Sequence, residues 1–147
     1  RLSEAIKGNT IILFNFIAHG ELIYDQCLKD SSKNIYWISG KTKGKEREEI
    51  RKIVEDNDNC IIIGGVSVIG TGFSIKNIHN MILAHPSKSR IRTLQSIGRA
   101  LRKLDSKDSA IIYDIGDSFS YSARHLNERI KHYKSENLPY TLQTLRI

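Results

Sequence analysis

Gln95, Arg99 and Arg102 carry the chemistry most directly readable in this chain. With Arg92 they recur at steps of three and four, so on a helix they share one face. A guanidinium is a planar, permanently charged, bidentate donor. Two of them beside an amide suit a phosphate. Ile91, Leu94, Ile97 and Leu101 recur at the same steps and form an adjacent apolar face. The spacing predicts a helix from Ser89 to Lys103, docked on a sheet by one face and presenting the other to a shared target. Gly98 falls between the stripes. A glycine inside a helix costs roughly 1 kcal/mol relative to alanine, and a close approach of some group to the backbone would account for it. A solvated basic face satisfies the same spacing, because Lys and Arg make up 23 of the 147 residues.

A second candidate is the glycine-rich stretch from Gly64 to Ile75, with glycines at 64, 65, 70 and 72. Glycine lets backbone N–H groups curl around a phosphate. Gly65 and Gly70 have the spacing of a P-loop, but Thr71-Gly72 stands where the Lys-Ser/Thr pair belongs, so this is not a Walker A loop. Gly70-x-Gly72 also lacks the third glycine of a dinucleotide fingerprint. A plain glycine-rich turn is the competing reading. Three further short segments are basic or sit where a helix begins. In Ala18-His19-Gly20, free N–H groups at a helix start suit a backbone phosphate, although His19 equally suits a surface position. Ser39-Gly40-Lys41-Thr42-Lys43 is basic or merely solvated. In His85-Pro86-Ser87-Lys88-Ser89-Arg90, Ser89 is a possible N-cap and Lys88 and Arg90 can face a polyanion. Asp114 and Asp117 read as turn residues rather than a metal pair, and the five histidines form no HExxH or Cys/His set, so no bound metal is expected.

These segments need elements to hold them. Thr10 to Phe16 and Cys60 to Ile63 are short, nearly continuous apolar runs, as expected of strands buried on both faces of a parallel sheet. Asn34 to Ile38, Asn80 to Ala84 and Ala110 to Ile115 read as further strands, and Thr141 to Ile147 as a terminal one. Helices are expected at Ala18 to Lys29, with Leu22, Ile23, Gln26 and Cys27 on one face. A second is expected at Lys45 to Glu55, anchored by Ile50, Ile53 and Val54, and a third at Ser122 to Lys134. In this last helix Leu126, Ile130 and Tyr133 suit packing on the sheet, whereas His125, Arg129, His132, Tyr133 and Tyr140 offer an interleaved basic and aromatic surface. Strands alternating with helices give an α/β layer structure with a mostly parallel sheet. Ligands of such sheets sit at the carboxyl ends of the strands. The candidate site loops are therefore 16–19, 39–43, 64–74, 85–89 and 114–118.

One domain with a real core fits 147 residues. A formal net charge of +7 and a pI of about 9.5 favour polyanion partners, meaning nucleic acid or nucleotide phosphates. No apolar run approaches the roughly 20 residues of a membrane span, and no signal peptide opens the chain. Cys27 and Cys60 fall in apolar segments without CxxC spacing and read as reduced core residues of a cytoplasmic protein. The chain does not open with Met, as expected of a piece of a longer protein.

Gln95-x-x-Gly98-Arg99-x-x-Arg102 resembles motif VI of the superfamily-two helicases, and Thr71-Gly72-Phe73-Ser74 before Ile75-Lys76-Asn77-Ile78 resembles motif V. Ile11 to His19 resembles motif IV, and Ser39 to Lys43 resembles the segment after it that touches the tracked strand. Val66 and Ser74 stand where DEAD-box proteins place a Thr and an Asp. The likeness is therefore to the recombination helicases of the superfamily, carried by Ser74–His79, Leu83–His85 and Leu94–Lys103. The resemblance implies a second RecA-like domain spanning 1–147, a three-layer α/β sandwich. It implies ATP with Mg²⁺ held mainly by a first domain, because no Walker A sequence and no Asp-Glu-x-His/Asp box occur here. The chain alone is then inactive as an ATPase. Arg99, Arg102 and Gln95 take catalytic roles, and Gly72, Ser74 and Gly98 lie toward the nucleotide. His19, Gly40, Lys41, Gly65, Thr71, Lys88 and Arg90 lie toward branched or forked DNA. The resemblance further implies a monomer paired in cis with its first domain in a bacterial or phage-infected cytoplasm. A non-catalytic basic α/β module that binds nucleic acid is the alternative, and a phosphosugar enzyme fits less well because no acid–base pair occurs in the loops.

Overall fold

The computed structural model describes residues 5–69, 75–84, 110–116 and 120–144. Five strands form one sheet in the order β2-β3-β1-β4-β5: β1 (Thr10–Phe14), β2 (Asn34–Ile38), β3 (Cys60–Gly65), β4 (Asn80–Leu83) and β5 (Ile111–Asp114). Every pairing among them is parallel. Among the described residues four helices accompany them: α1 (Ile17–Asp30), α2 (Gly44–Glu55), a single turn α3 (Val66–Ile69) and α4 (Ser120–Ser135).

The isoleucine-rich runs explain why the centre of the sheet is built from β1, β3 and β4, whose residues are all buried. Alternate side chains of a strand point to opposite faces, so each run must meet apolar cover on both sides. Ile11, Leu13, Ile62, Met81 and Leu83 pack with Ile50 and Val54 of α2 and with Val68, Ile75 and Ile78. Ile12, Phe14, Ile61, Ile63 and Ile82 pack on the other side with Cys27, Ile23 and Tyr24 of α1. The result is the expected three-layer α/β sandwich.

Adjacent strands β1 and β3 send their connections to opposite faces. From β1 the chain enters α1 on one side of the sheet, while from β3 it runs through Val68, Ile75 and Ile78 on the other. Connections that diverge in this way open a crevice beyond the carboxyl ends of the two strands. The switch point lies at the last register pair, Phe14 with Gly65.

Several boundaries and faces differ from expectation. β1 stops at Phe14 and not Phe16, because Phe16 is the extended residue preceding α1. In α1 the inward stripe is Gly20, Ile23, Tyr24 and Cys27, and Leu22 is 69% exposed. Gly20 sets this phase. A Cβ there would sit 2.5 Å from the Phe14 ring, so only glycine lets helix and strand approach so closely. β3 extends through Gly65 and continues into the α3 turn, so the start of the glycine-rich stretch is regular structure and not loop. Residues 141–144 form no strand. Among the described side chains of α4, Ser122, His125 and Arg129 are buried, while Leu126, Ile130 and Tyr133 are only half-buried. Burial of His125 and Arg129 removes them from any basic surface on this helix. The helix expected over Ser89 to Lys103 lies outside the described residues.

Candidate nucleic-acid interface

Three of the expected contact segments meet along the carboxyl edge of the sheet. Across β2, β3 and β1 the register aligns Ile38 with Gly64 and Phe14 with Gly65. The chain leaving β2, the end of β3 and the chain leaving β1 therefore stand in a row. Strands are spaced about 4.8 Å apart, so the outer two lie on the order of 10 Å from each other.

At one end of the row α1 begins at Ile17, with no side-chain cap on its first turn and no acidic residue in it. Its leading N–H groups carry the positive end of the helix dipole. His19 lies in this turn and is exposed. Behind the turn, Phe14 stacks on Trp37 at 4.9 Å, and Tyr24 meets Trp37 edge-on at 5.7 Å.

At the other end, the loop after β2 has a defined shape. Thr42 Oγ1 accepts the Ser39 N–H at 2.9 Å, and the Thr42 N–H returns to the Ser39 carbonyl at 3.1 Å. Arg47, from the first turn and a half of α2, reaches back. Its Nε donates to the Thr42 carbonyl at 2.9 Å and its Nη2 to the Ser39 carbonyl at 3.1 Å. Gly40 and Lys41 project from this closed turn. Both are exposed, and a Cβ at Gly40 would meet nothing within 4 Å. α2 also starts without a side-chain cap, after Lys43. Farther along α2, Arg51 neutralises two of the helix's acids. It bonds Glu48 at 2.9 Å and Glu55 at 2.8 Å, and the hydrogen bond from Arg51 holds the Glu48 carboxyl below its ordinary range. The exposed charges nearest the loop are Lys41, Lys43 and Lys45, with Glu46 in the first turn of α2.

Gly65 lies between these two ends, but as a buried strand residue beneath the surface. Thr71, Gly72, Ser74, Lys88, Arg90, Gln95, Gly98, Arg99 and Arg102 lie outside the described residues, as does Asp117. Asp114 is held by Arg129 at 2.6 Å. Among the described residues no three His, Cys, Asp or Glu side chains converge as a metal site would require. Cys27 and Cys60 are both buried. No helix among the described residues is long and apolar enough to cross a membrane. Sequence reading missed Arg47, which looks like one more charge on a charged helix. Its signal, a basic residue one turn into a helix that follows a Ser-Gly-Lys-Thr loop, becomes meaningful only once the loop's carbonyls are placed.

A family model described as the helicase conserved C-terminal domain matches residues 1–103. The chain belongs to this helicase family. Among curated relatives, the ATP-dependent DNA helicase uvsW of Enterobacteria phage T4 is 32% identical over 155 residues, covering 95% of this chain and 31% of that protein. The helicase domain described here therefore spans about a third of that relative's length. The crystal structure of T4 UvsW superposes with a TM-score of 0.74 at 32% identity, over 88% of this chain and 29% of that one. The C-terminal domain of the DEAD-box protein Dbp5, 12% identical, superposes with a TM-score of 0.66 over 91% of this chain and 74% of that one, a likeness of fold. The chain is thus a second RecA-like domain of the superfamily-two type, similar to UvsW.

Proposed function

We propose that this chain is the second motor domain of a monomeric ATP-dependent DNA helicase that acts on branched or forked DNA in recombination, repair or fork remodelling. The observation that carries the reading is the likeness to UvsW along 95% of the chain. Two uncapped helix starts and the arginine-braced Gly40-Lys41 turn on one sheet edge support it.

In this reading His19, Gly40 and Lys41, with Thr71, Lys88 and Arg90, hold successive backbone phosphates of one strand. Gly65 sets the start of the loop between them. Contacts to phosphate rather than to bases make binding sequence-independent and salt-sensitive. ATP supplies the phosphoryl group whose transfer drives movement. Its phosphates need a cradle from another domain, since β3 runs directly into the α3 turn at Val66 where a P-loop would curl. Gly72, Ser74 and Gly98 face the nucleotide from this side. Gln95, Arg99 and Arg102 orient the transferring group and stabilise its charge when the two domains close.

The test is made on the longer parent protein, with forked and linear DNA. Forked DNA is expected to bind more tightly and to stimulate ATP hydrolysis. Replacing Lys41 by Ala should reduce the slope of log K against log salt by about 1. Replacing Arg47 by Ala should weaken DNA binding by about tenfold, or ~1.4 kcal/mol, with the slope unchanged, because Arg47 shapes the turn without touching phosphate. DNA binding without any stimulated hydrolysis would instead make the chain a non-catalytic nucleic-acid module. Equal slopes for wild type and the Lys41 variant would remove the turn from the DNA path.

A further inference from the structure

The chain leaving β1 holds in water two side chains that would suit a core. Asn15 to His19 are five consecutive exposed residues. Among them Phe16 is 69% and Ile17 58% exposed. They stand next to each other in the chain at the carboxyl edge of the central strand. Single exposed apolar side chains are ordinary, whereas contiguous ones rimmed by polar residues mark a surface that another molecule covers.

The Phe16 ring stands on a held backbone. The residue is extended, and its carbonyl accepts the Gly20 N–H at 3.0 Å, closing the first turn of α1. Two residues earlier, Phe14 is buried and stacked on Trp37. A ring with two side-chain torsions on a fixed backbone loses little freedom when it is covered.

The charges on the same edge select the kind of molecule. The first turn of α1 has no acidic residue. Along the row set by the strand register, the turn after β2 presents Lys41, then Lys43 and Lys45, against one acid, Glu46. The whole chain carries a formal charge of +7. Cations that follow a phosphate backbone, together with exposed rings on which bases stack, are how proteins hold single strands.

We propose that Phe16 is a stacking platform for an unpaired base of a single DNA strand, with Ile17 beside it. This role goes beyond the phosphate contacts above and rests on the same motor-domain reading. In duplex DNA both faces of an interior base are covered by its neighbours, so the ring finds nothing to stack on. Phe16 therefore favours an unpaired strand over duplex, a distinction that charge alone makes poorly. It adds no sequence preference, because every base has a π-face.

The experiment uses the longer parent protein and compares wild type, Phe16→Leu, Phe16→Trp and Lys41→Ala. Leucine keeps apolar bulk without a π-face, and tryptophan enlarges the face. Affinity is measured over a range of salt for oligothymidylate, for an abasic strand of equal length that keeps only sugars and phosphates, and for long duplex. Phe16→Leu is expected to bind oligothymidylate about tenfold more weakly, with an unchanged salt slope. Its affinity for the abasic strand and for duplex should stay within about twofold of wild type. Phe16→Trp should bind oligothymidylate at least as tightly as wild type. Wild-type affinity of Phe16→Leu for oligothymidylate overturns the proposal. So does an equal loss on the abasic strand or on duplex, because the ring would then not be touching bases. Wild-type DNA affinity in Phe16→Leu with altered ATP hydrolysis would give the patch to another domain of the parent and also overturns it. If the wild-type parent binds none of these DNAs, the motor-domain reading has failed and this role falls with it. DNA binding whose salt slope drops in Lys41→Ala, with no effect at Phe16, sinks this role alone.

Discussion

Replacing Arg99 by Ala in the parent helicase is expected to lower DNA-stimulated kcat by about three orders of magnitude or more, with DNA affinity unchanged. The transferred phosphoryl group spreads charge over its equatorial oxygens, and little covalent work is left for the protein. A guanidinium that reaches those oxygens only on closure contributes to the transition state and not to ground-state binding. Arg102→Ala should behave likewise, because the two residues are three apart in the sequence, a spacing that would place them on one face of the expected helix. Arg99→Lys should recover little of the loss, since an ammonium lacks the planar fork that bridges two oxygens. Steady-state hydrolysis at saturating forked DNA, beside a DNA titration of the same samples, checks the expectation. Variants that lose DNA binding while keeping kcat at saturation would make this face a DNA contact and remove it from the nucleotide.

The largest stability effect is expected at Asn9, at the opposite end of the sheet. Asn9 is fully buried beside the start of β1. Its Nδ2 donates to the carbonyls of Val54 at 2.9 Å and Asn77 at 2.9 Å, and also to that of Asn57. Its Oδ1 accepts the Cys60 N–H at 2.9 Å. Its backbone carbonyl accepts from His79 and Asn80, and its N–H donates to His79 Nδ1 at 3.2 Å. One side chain thus joins the end of α2 to the starts of β1, β3 and β4. Asn9→Ala leaves the buried Cys60 N–H without its acceptor and takes a donor from the Asn77 carbonyl, while the Val54 and Asn57 carbonyls keep other donors, at about 1–3 kcal/mol for each group stranded. A total loss of about 2–3 kcal/mol is expected in urea unfolding. A loss below about 1 kcal/mol would show that the clasp is dispensable. Asn9→Asp should be worse at neutral pH, because an ionised oxygen would face three carbonyls. Such a site raises the folded-state pKa of the new carboxyl above its unfolded value. The relative stability of this variant should then be greatest below about pH 4 and fall as pH rises through the folded pKa.

The contrast between these two sites explains what the sequence could disclose. Ile61, Ile62 and Ile63 must lie in a strand covered on both faces, because no other short arrangement hides them all. The interior of β3, the parallel sheet and the three layers follow from such runs. Asn34–Ile38 also matches its expected bounds, although only Ile38 in it is fully buried. The Gln95–Arg102 charge pattern can be noticed because its spacing is local, but the helix expected there lies outside the described residues. Asn9, Arg47 and Arg129 are not legible in this way. Each is polar, so apolar periodicity passes over it. The partners of Asn9 and Arg129 also lie far along the chain, as with Cys60, 51 positions from Asn9. Leu22, being apolar at helical spacing, is expected on the inward face of α1, yet it is exposed. The ring of Phe14 pressing on Gly20 set the helix phase instead, and a glycine gives no hint of what leans against it.

The first strand of the sheet is also its middle one, and this shapes how the domain is made. Thr10 must find Ile61 on one side and Asn80 on the other. At a synthesis rate of roughly 5–20 residues per second, the apolar run Thr-Ile-Ile-Leu-Phe waits several seconds for its first neighbour. Its pairings close long loops, which slows folding relative to a chain of local contacts. During that interval it is an unpaired, uncharged β-forming segment of the kind that associates with copies of itself. The cover α1 provides on one side is complete soon after Asp30 emerges, and α2 adds cover on the other before β3 is made. Until β3 and β4 arrive, the nascent domain depends on those helices to keep its own centre from becoming a site of aggregation.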